Sequence, residues 1–301
     1  MQIIDAHHHL WDVEKNGASY PWFSEDLADK GWGDASMLLR NYTPQSLLAD
    51  AETAGLQILK SVHVQANFDF SNPVAETRWL ERAARQDGAQ NLPSAIVGYA
   101  DLSAENVSQV LEAHAEHGRF RGIRQVLNRH ENPTLNRAPH DYLNDPAWRT
   151  GLGVLSTMGL SFDAQIYFHQ ADQLARIARA LPDLRIVVDH ALMPAERDAD
   201  KIEGWRQAVT RLADLPNVWM KISGFGMVDN AWTTDSIRPF AHHCIDAFGP
   251  SRIMFGSNFP VDKIMSDYGR LWRAYADLIS GYSEDERNDM LIATAERFYR
   301  I

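Results

Sequence analysis

The sequence predicts an α/β protein that folds as a single (β/α)8 TIM barrel over residues 1–301. Short β-branched runs alternate with amphipathic helical windows along the whole chain. The length of 301 residues suits a barrel of roughly 250 residues with long loops. No linker-like or low-complexity segment divides the chain. We therefore expect one closed barrel with a long first βα loop and an extra C-terminal helix.

Eight strands are expected, each with bounds uncertain by about three residues. They are Ile3–His7, Leu59–Gln65, Ser94–Asp101, Phe120–Val126, Leu160–Tyr167, Arg185–Asp189, Val218–Ser223 and Ile253–Gly256. Capping signals predict helices between them, because Ser, Thr, Asp or Asn favours a helix start and Gly favours a helix end. These helices run from Thr43-Pro44 to Gly55, from Asn72-Pro73 to Gly88 and from Asp145-Pro146 to Gly159. A capping box at Ser283 predicts the last helix, which we expect to close the outside of the barrel.

The connection after the first strand, about residues 10–41, is unusually long and rich in aromatic side chains. It holds Trp11, Tyr20, Trp22, Phe23 and Trp32. Long loops in compact domains are usually functional or disordered, and aromatic enrichment argues against disorder. Two interpretations remain open: a wall or lid of a binding pocket, and a hydrophobic cluster that packs the loop on the barrel.

Composition limits the class of partner. The formal net charge is −11, which argues against nucleic acid or an anionic membrane and favours a small-molecule substrate. Cys244 is the only cysteine, so an intrachain disulfide is impossible and no motif marks a thiol nucleophile. The chain has no apolar run of about 18 residues and no room for a signal peptide before the first strand, so we expect a cytoplasmic protein. Assembly into a homo-oligomer is left open.

Polar residues follow the strands at the ends where (β/α)8 barrels carry their active sites. Strand alternation places His7 and His9 on one face of the first strand, where two imidazoles could bind a divalent metal or transfer protons. The other strand ends contribute His63, Gln65, Arg121, Arg124, Asp163, Gln165, Tyr167, His169, Asp189, His190, Lys221, Ser223 and Asn258. We expect His190 to face the site, and Arg124 to bind a carboxylate or carbonyl group through its planar guanidinium. His63 could contact substrate or be structural, and Lys221 could be a functional buried lysine or point outward.

Five motifs occur in strand order. They are Ile-Asp-Ala-His-His-His-Leu-Trp at residues 4–11, Arg-Gly-Ile-Arg at 121–124, Val-Asp-His at 188–190, Lys-Ile-Ser-Gly at 221–224 and Met-Phe-Gly-Ser-Asn-Phe-Pro at 254–260. Together they resemble the amidohydrolase superfamily over essentially the full chain. More narrowly, they are similar to its amidohydrolase 2 branch, which includes sugar-acid lactonases, 2-pyrone-4,6-dicarboxylate lactonase and related decarboxylases.

The resemblance implies roles for individual residues. His7 and His9 match the first-strand pair, His190 matches the sixth-strand histidine, and Arg124 matches an arginine associated with substrate binding. Asn258 stands where the family pattern usually has an aspartate that binds metal and transfers a proton. An amide cannot take a proton from water at neutral pH, so the usual general base is missing.

Three hypotheses follow from this departure. In the first, His7, His9 and His190 hold one divalent metal, taken as zinc, which can lower the pKa of a bound water to about 7. In the second, no metal is needed: the histidines and Arg124 polarise a lactone carbonyl while His190 or Asp262 deprotonates water. In the third, the barrel has lost hydrolysis and only binds its ligand.

The leading prediction is a hydrolase that opens a small lactone, of the sugar-acid, muconolactone or pyrone type, with an activated water. His190, Asn258 and Arg124 are the expected catalytic residues. The expected substrate contacts are Arg124, His63, Gln165, Tyr167, Trp11 and Ser223. Non-oxidative decarboxylation of an aromatic or enol acid and a non-catalytic binding barrel are the alternatives.

Overall fold

The computed structural model describes residues 1–24 and 34–301, and within them eight parallel strands pair in sequence order, β1 to β8. The strands are β1 Gln2–His8, β2 Gln57–Val64, β3 Ala95–Gly98, β4 Phe120–Val126, β5 Ser161–Gln165, β6 Arg185–Val188, β7 Val218–Ile222 and β8 Ile253–Phe255. Backbone hydrogen bonds from Asn258 N to His7 O and from His9 N to Phe259 O, both 2.7 Å long, join the last strand's exit to the first strand. The predicted (β/α)8 barrel is confirmed.

All eight strands lie within about three residues of their predicted bounds, and the larger differences include the ends of the third and fifth strands. The third ends at Gly98 instead of Asp101, and the fifth ends at Gln165 instead of Tyr167. In both places the chain leaves the sheet early and continues as a loop. Tyr99 and Tyr167, which follow these strands, line the cavity at the carboxyl end of the barrel.

The α-helices surround the barrel, apart from the last one. They are α1 Val13–Asn16, α2 Pro44–Thr53, α3 Val74–Ala83, α4 Val107–Ala115, α5 Pro146–Thr157, α6 Ala171–Ala180, α7 Ala199–Ala213, α8 Thr234–Phe248, α9 Tyr268–Leu278, α10 Glu284–Asn288 and α11 Thr294–Tyr299. A π-helical segment, Asp289–Ala293, joins the last two. The predicted starts at Thr43, Asp145 and Ser283 are N-caps, whereas α3 ends at Ala83, before the predicted Gly88. No helix among the described residues is both long and apolar enough to cross a membrane.

The C-terminal helix does not lie on the outside of the barrel as predicted. Ala295, Phe298 and Tyr299 pack in one cluster with inward residues of the barrel such as Ile4 and Val187. The backbone oxygen of Phe298 accepts a hydrogen bond from Arg185, the first residue of β6. This helix therefore closes the amino-terminal end of the barrel, opposite the cavity. Burial of its large aromatic side chains explains the position, because the open end of the barrel would otherwise expose apolar surface.

Candidate active site

A cavity of about 450 Å³ lies at the carboxyl ends of the strands. Its polar wall comes from strand ends, and its aromatic wall comes from the loops that follow them. Lining residues include His9, Trp11, Trp22, Gln65, Tyr99, Arg124, Tyr142, Gln165, Tyr167, His190 and Asn258. None of the lining residues in the described part of the chain is an aspartate or glutamate. The cavity thus presents cationic and neutral groups, although the chain carries a net charge of −11.

The structure brings the three predicted histidines together at this cavity, with His9 and His190 in its lining and His7 behind them. The ring of His7 lies 4.5 Å from that of His190 and 5.2 Å from that of His9, measured between centroids. Burial lowers the pKa of all three imidazoles, and that of His190 falls to about 4. The nearby positive charges of Lys221 and Arg124 lower these pKa values further. The three imidazoles are therefore neutral near pH 7, which is the form that can bind a metal or accept a proton.

His9 and Asn258 face each other across the site. The Nδ1 atom of His9 lies 2.7 Å from the backbone oxygen of Val64, which can only accept, so Nδ1 carries the ring proton. The Nε2 atom lies 3.2 Å from the Asn258 side-chain oxygen Oδ1. Asn258 has a left-handed backbone (φ 57°), and its Nδ2 donates to Asp262 at 2.9 Å. The amide thus lies between the site and Asp262, and Asp262 does not line the cavity.

A left-handed turn directs His190 toward the cavity. The backbone φ is positive at every residue from His190 to Met193. The chain therefore leaves the extended conformation here, in which side chains would have continued to alternate between the two faces of the strand. The His190 Nδ1 atom lies 2.9 Å from the hydroxyl oxygen of Ser223, which leaves Nε2 available to the site. Gly224 is required beside this ring, since a Cβ there would lie 2.4 Å from Nδ1. Ser223 contacts His190 and does not line the cavity, so its predicted substrate contact has no support in this placement.

Asp189 also belongs to the site, although from sequence it is named only as a strand-end residue with no assigned role. Ligand atoms of His7, Asp189 and His190 all lie within 4.8 Å of one another, so these three could hold a metal ion. Within the described chain, His7 Nε2 and both carboxylate oxygens of Asp189 are buried and lack a well-aligned hydrogen bond, which fits metal ligation. His9 is not in this group, whose ligand atoms are the ones that lie within 4.8 Å of one another. In the sequence, the sign that Asp189 could be a ligand is its position directly before His190.

Lys221 points into the barrel, which decides between its two predicted placements. Its side chain is fully buried, with Nζ 2.5 Å from Asp163 Oδ2, 3.4 Å from Asp189 Oδ1 and 3.3 Å from His7 Nδ1. Burial raises the pKa of Asp163 to about 6, although Lys221 opposes the shift. Burial alone would also raise the pKa of Asp189, but Lys221 and His7 outweigh it and hold that pKa well below its usual range.

Arg124 lines the cavity and is fixed at both terminal nitrogens. Nη1 donates to Gln165 Oε1 at 3.0 Å, and Nη2 donates to the backbone oxygen of Gln65 at 2.6 Å. Its Nε is buried and has no hydrogen-bond partner among the residues that the structure describes. Each terminal nitrogen carries a second N–H, so a guanidinium held in place in this way is suited to bind an incoming oxygen atom.

His63 lies outside the cavity, and the predicted substrate contact has no support in its placement. Its Nδ1 accepts a hydrogen bond from the backbone of Leu10 at 3.1 Å, and its Nε2 lies 3.6 Å from Glu76. Val62 and Val64, on either side in β2, face the barrel interior, so His63 faces the surrounding helices. It holds the first loop onto the barrel.

The aromatic loop fulfils both interpretations left open by the sequence. Trp11 and Trp22 line the cavity, and their rings make an edge contact with centroids 4.9 Å apart. Their indole N–H groups donate to the backbone oxygens of Arg40 and Ala66, both at 2.8 Å. Tyr20 and Phe23 pack against this pair, whereas Trp32 lies outside the described residues. Tyr167, also in the lining, donates its hydroxyl to Leu135 O.

Comparisons with known proteins agree with this architecture. An amidohydrolase family model matches residues 4–301. An uncharacterised protein of Sinorhizobium fredii, y4mH, is 40% identical over 99% of this chain and 98% of its own length. An L-fucono-1,5-lactonase of Burkholderia ambifaria is 29% identical over 99% of this chain and 95% of its own. A crystal structure of a Burkholderia multivorans amidohydrolase with bound zinc aligns with this chain over 100% of both chains, with 26% identity and a TM-score of 0.79. The chain therefore belongs to the amidohydrolase family and is a hydrolase.

Proposed function

We propose that this protein hydrolyses a small lactone of the sugar-acid type, using water as the nucleophile. The observation that supports this most strongly is the composition of the cavity: a fixed arginine with a spare donor, neutral histidines and no carboxylate among the described lining residues. Lactone opening converts a neutral ester into a carboxylate, and cationic groups stabilise the negative charge that develops. The aromatic wall of Trp11, Trp22 and Tyr142 suits the C–H face of a sugar ring.

The relatives support the same reaction class. The relative from Burkholderia ambifaria is an L-fucono-1,5-lactonase, and its similarity extends over nearly the whole of both chains. We infer an aldonolactone as the substrate, because amide side chains in the lining, such as Gln65 and Gln165, can both donate to and accept from ring hydroxyl groups.

In the proposed reaction, the guanidinium of Arg124, which lines the cavity, donates to the carbonyl oxygen of the lactone and polarises it. His190, neutral and held through Nδ1 by Ser223, accepts a proton from water with Nε2 as the water oxygen attacks the carbonyl carbon. The ring C–O bond then breaks, and the departing oxygen takes up that proton to become a hydroxyl group. The product is a hydroxy acid, whose ionisation releases one proton to solvent.

The residues also fit a divalent metal. We propose that His7, Asp189 and His190 would hold it, in place of the three histidines expected from the sequence. When bound, zinc would supply a water of lowered pKa. His190 would then serve as a ligand, and Arg124 would keep its contact with the carbonyl oxygen.

A panel of 1,5- and 1,4-aldonolactones, muconolactones and pyrone acids tests this proposal through proton release, followed with a pH indicator dye. We expect rapid turnover of at least one aldonolactone by the wild-type protein and a strong loss in His190→Asn. Release of carbon dioxide would identify the decarboxylase alternative instead. Ligand-induced thermal stabilisation with no turnover would identify a binding barrel.

A further inference from the structure

The ammonium group of Lys221 lies beneath the cavity among three acceptors. Its Nζ is 2.5 Å from Asp163 Oδ2, 3.3 Å from His7 Nδ1 and 3.4 Å from Asp189 Oδ1. An ammonium group has three protons to donate and none to accept. The contacts with Asp163 and His7 meet hydrogen-bond geometry, and the contact with Asp189 is an ion pair.

His7 Nδ1 has two competing neighbours. It lies 3.3 Å from Lys221 Nζ, a donor, and also 3.3 Å from Asp189 Oδ1, an acceptor. The contact with Lys221 satisfies hydrogen-bond geometry, whereas the Asp189 oxygens accept no well-aligned hydrogen bond from the described residues. Nδ1 therefore acts as the acceptor, and in a neutral imidazole the proton must then be on Nε2.

We propose that Lys221 is a positioning residue that fixes His7 in the Nε2–H form. The ring stays neutral in both forms, and only the nitrogen that carries the proton differs. In this form His7 offers an N–H donor among the rings of His9 and His190, where Nε2 has no partner within the described chain. A water or an oxyanion at that point would accept it.

Metal binding requires the other form. A histidine ligates through an unprotonated nitrogen, so Nε2 can bind a metal only if the proton moves to Nδ1 and is donated to Asp189. Lys221 then loses an acceptor, and its positive charge faces the ion. Lys221 thus favours the donor role of His7 and weakens metal binding by His7, Asp189 and His190.

The position of Lys221 depends in turn on the C-terminal helix. The Tyr299 hydroxyl donates to Asp163 Oδ2 at 2.8 Å, the same oxygen that binds Lys221. The ring of Tyr299 also lies 5.3 Å from Lys221 Nζ, within range of a cation–π interaction. The helix that closes the barrel therefore also holds Lys221 against His7.

The test is a two-bond ¹H–¹⁵N correlation spectrum of the full chain labelled with ¹⁵N-histidine, in which the His7 signals are those lost in His7→Gln. We expect the Nε2–H pattern in metal-free wild type and the Nδ1–H pattern in Lys221→Met. Lys263→Met is the matched control, because Lys263 pairs with Asp50 away from His7, and it should leave the pattern unchanged. A wild-type ring protonated on Nδ1, or an unchanged pattern in Lys221→Met, would overturn the proposal.

Zinc affinity, measured by competition with a chromophoric chelator, is the second readout. We expect Lys221→Met to bind zinc at least about tenfold more tightly than wild type or Lys263→Met, because the variant removes a positive charge beside the ion. An equal or weaker affinity would contradict the proposal. If Lys221→Met does not fold, neutron diffraction of the wild-type protein locates the deuteron on His7 directly.

The inference rests on the proposed function only for its consequence in catalysis. The ring form is measured without substrate. An Nε2–H ring in a protein that turns over no lactone would therefore contradict the proposed function alone.

Discussion

The Asn258 amide nitrogen donates a hydrogen bond to the Asp262 carboxyl group, Nδ2 to Oδ1, over 2.9 Å. Asp262 also accepts from the backbone N–H of Gly226, at 3.4 Å, and is otherwise enclosed. Burial raises the pKa of Asp262 to about 7, against the opposing effect of these hydrogen bonds. A carboxyl group thus lies directly behind the position where the family pattern usually has its aspartate, and it is separated from the cavity by an amide.

This pKa predicts a pH-dependent contribution to stability. The folded state binds the Asp262 proton more tightly than the unfolded state, whose aspartate pKa is about 3.9. The stabilisation is complete below about pH 4 and is lost as the pH rises to about 7. At roughly 1.4 kcal/mol per pKa unit, the loss is at most about 4 kcal/mol.

Asp262→Asn should remove this pH-dependent loss of folding stability. Its free energy of unfolding, measured by urea denaturation, should exceed that of wild type by a margin that grows between pH 4 and pH 7. Asp183→Asn, at an exposed aspartate, is the control and should follow wild type. Parallel curves for Asp262→Asn and wild type would show that Asp262 is not perturbed.

The contact between Ser223 and His190 predicts a loss of turnover in Ser223→Ala. Without the hydroxyl, the His190 ring loses the partner that orients it, while the cavity lining stays intact. A net hydrogen bond contributes roughly 1 kcal/mol, so kcat should fall by about fivefold to tenfold with little change in KM. Steady-state kinetics on the preferred lactone would measure this, with the exposed Ser251→Ala as control. A rise in KM at constant kcat would instead indicate that Ser223 binds substrate.

Arg124 and Arg121 form a matched pair on one strand. Arg124 lines the cavity, whereas Arg121 donates to the backbone oxygens of Gly118 and Phe120. Arg124→Lys keeps the charge but loses the planar donor set, so kcat/KM should fall about 10- to 100-fold, since a hydrogen bond to a charged group contributes roughly 1.5–3 kcal/mol. Arg121→Lys should change kcat/KM little. Equal effects in the two variants would mean that Arg124 acts only on the fold.

The metal ligands can be distinguished by zinc affinity. Replacing a residue that only supports a metal ligand typically weakens metal binding about 10- to 100-fold. Asp189→Asn should weaken zinc binding by more than that, because Asp189 is a proposed ligand. His9→Gln should stay within that range, since His9 lies outside the group of ligand atoms within 4.8 Å of one another. Competition with a chelating dye on purified protein would give both constants. The reverse order would restore the three-histidine set expected from the sequence.

Much of the fold was predictable because its signals are local. Strand periodicity and capping residues depend on neighbours in sequence, and they placed all eight strands and the N-caps at Thr43, Asp145 and Ser283. The last helix was misplaced because no local signal shows whether an amphipathic helix packs outside a barrel or across its end.

Side-chain direction was harder to predict than strand position. Both faces of a parallel barrel are buried, so the polarity of β2 does not reveal that Val62 and Val64 face inward and His63 outward. The left-handed turn that begins at His190 brings Asp189 and His190 to one site, although neighbouring strand residues normally diverge. Lys221 could not be paired with Asp163 from sequence, since the two residues lie on β7 and β5 and meet only in the barrel interior of the folded sheet.

In the proposed reaction, water attacks the carbonyl carbon of a lactone held by Arg124 and His190. Turnover of the preferred aldonolactone in H₂¹⁸O, with the product analysed by mass spectrometry and ¹³C NMR, tests it most directly after correction for spontaneous opening. We expect one ¹⁸O atom in the product carboxylate, none at the carbon of the former ring oxygen, and no carbon dioxide. Label at the ring carbon, or carbon dioxide in place of a labelled carboxylate, would contradict the account.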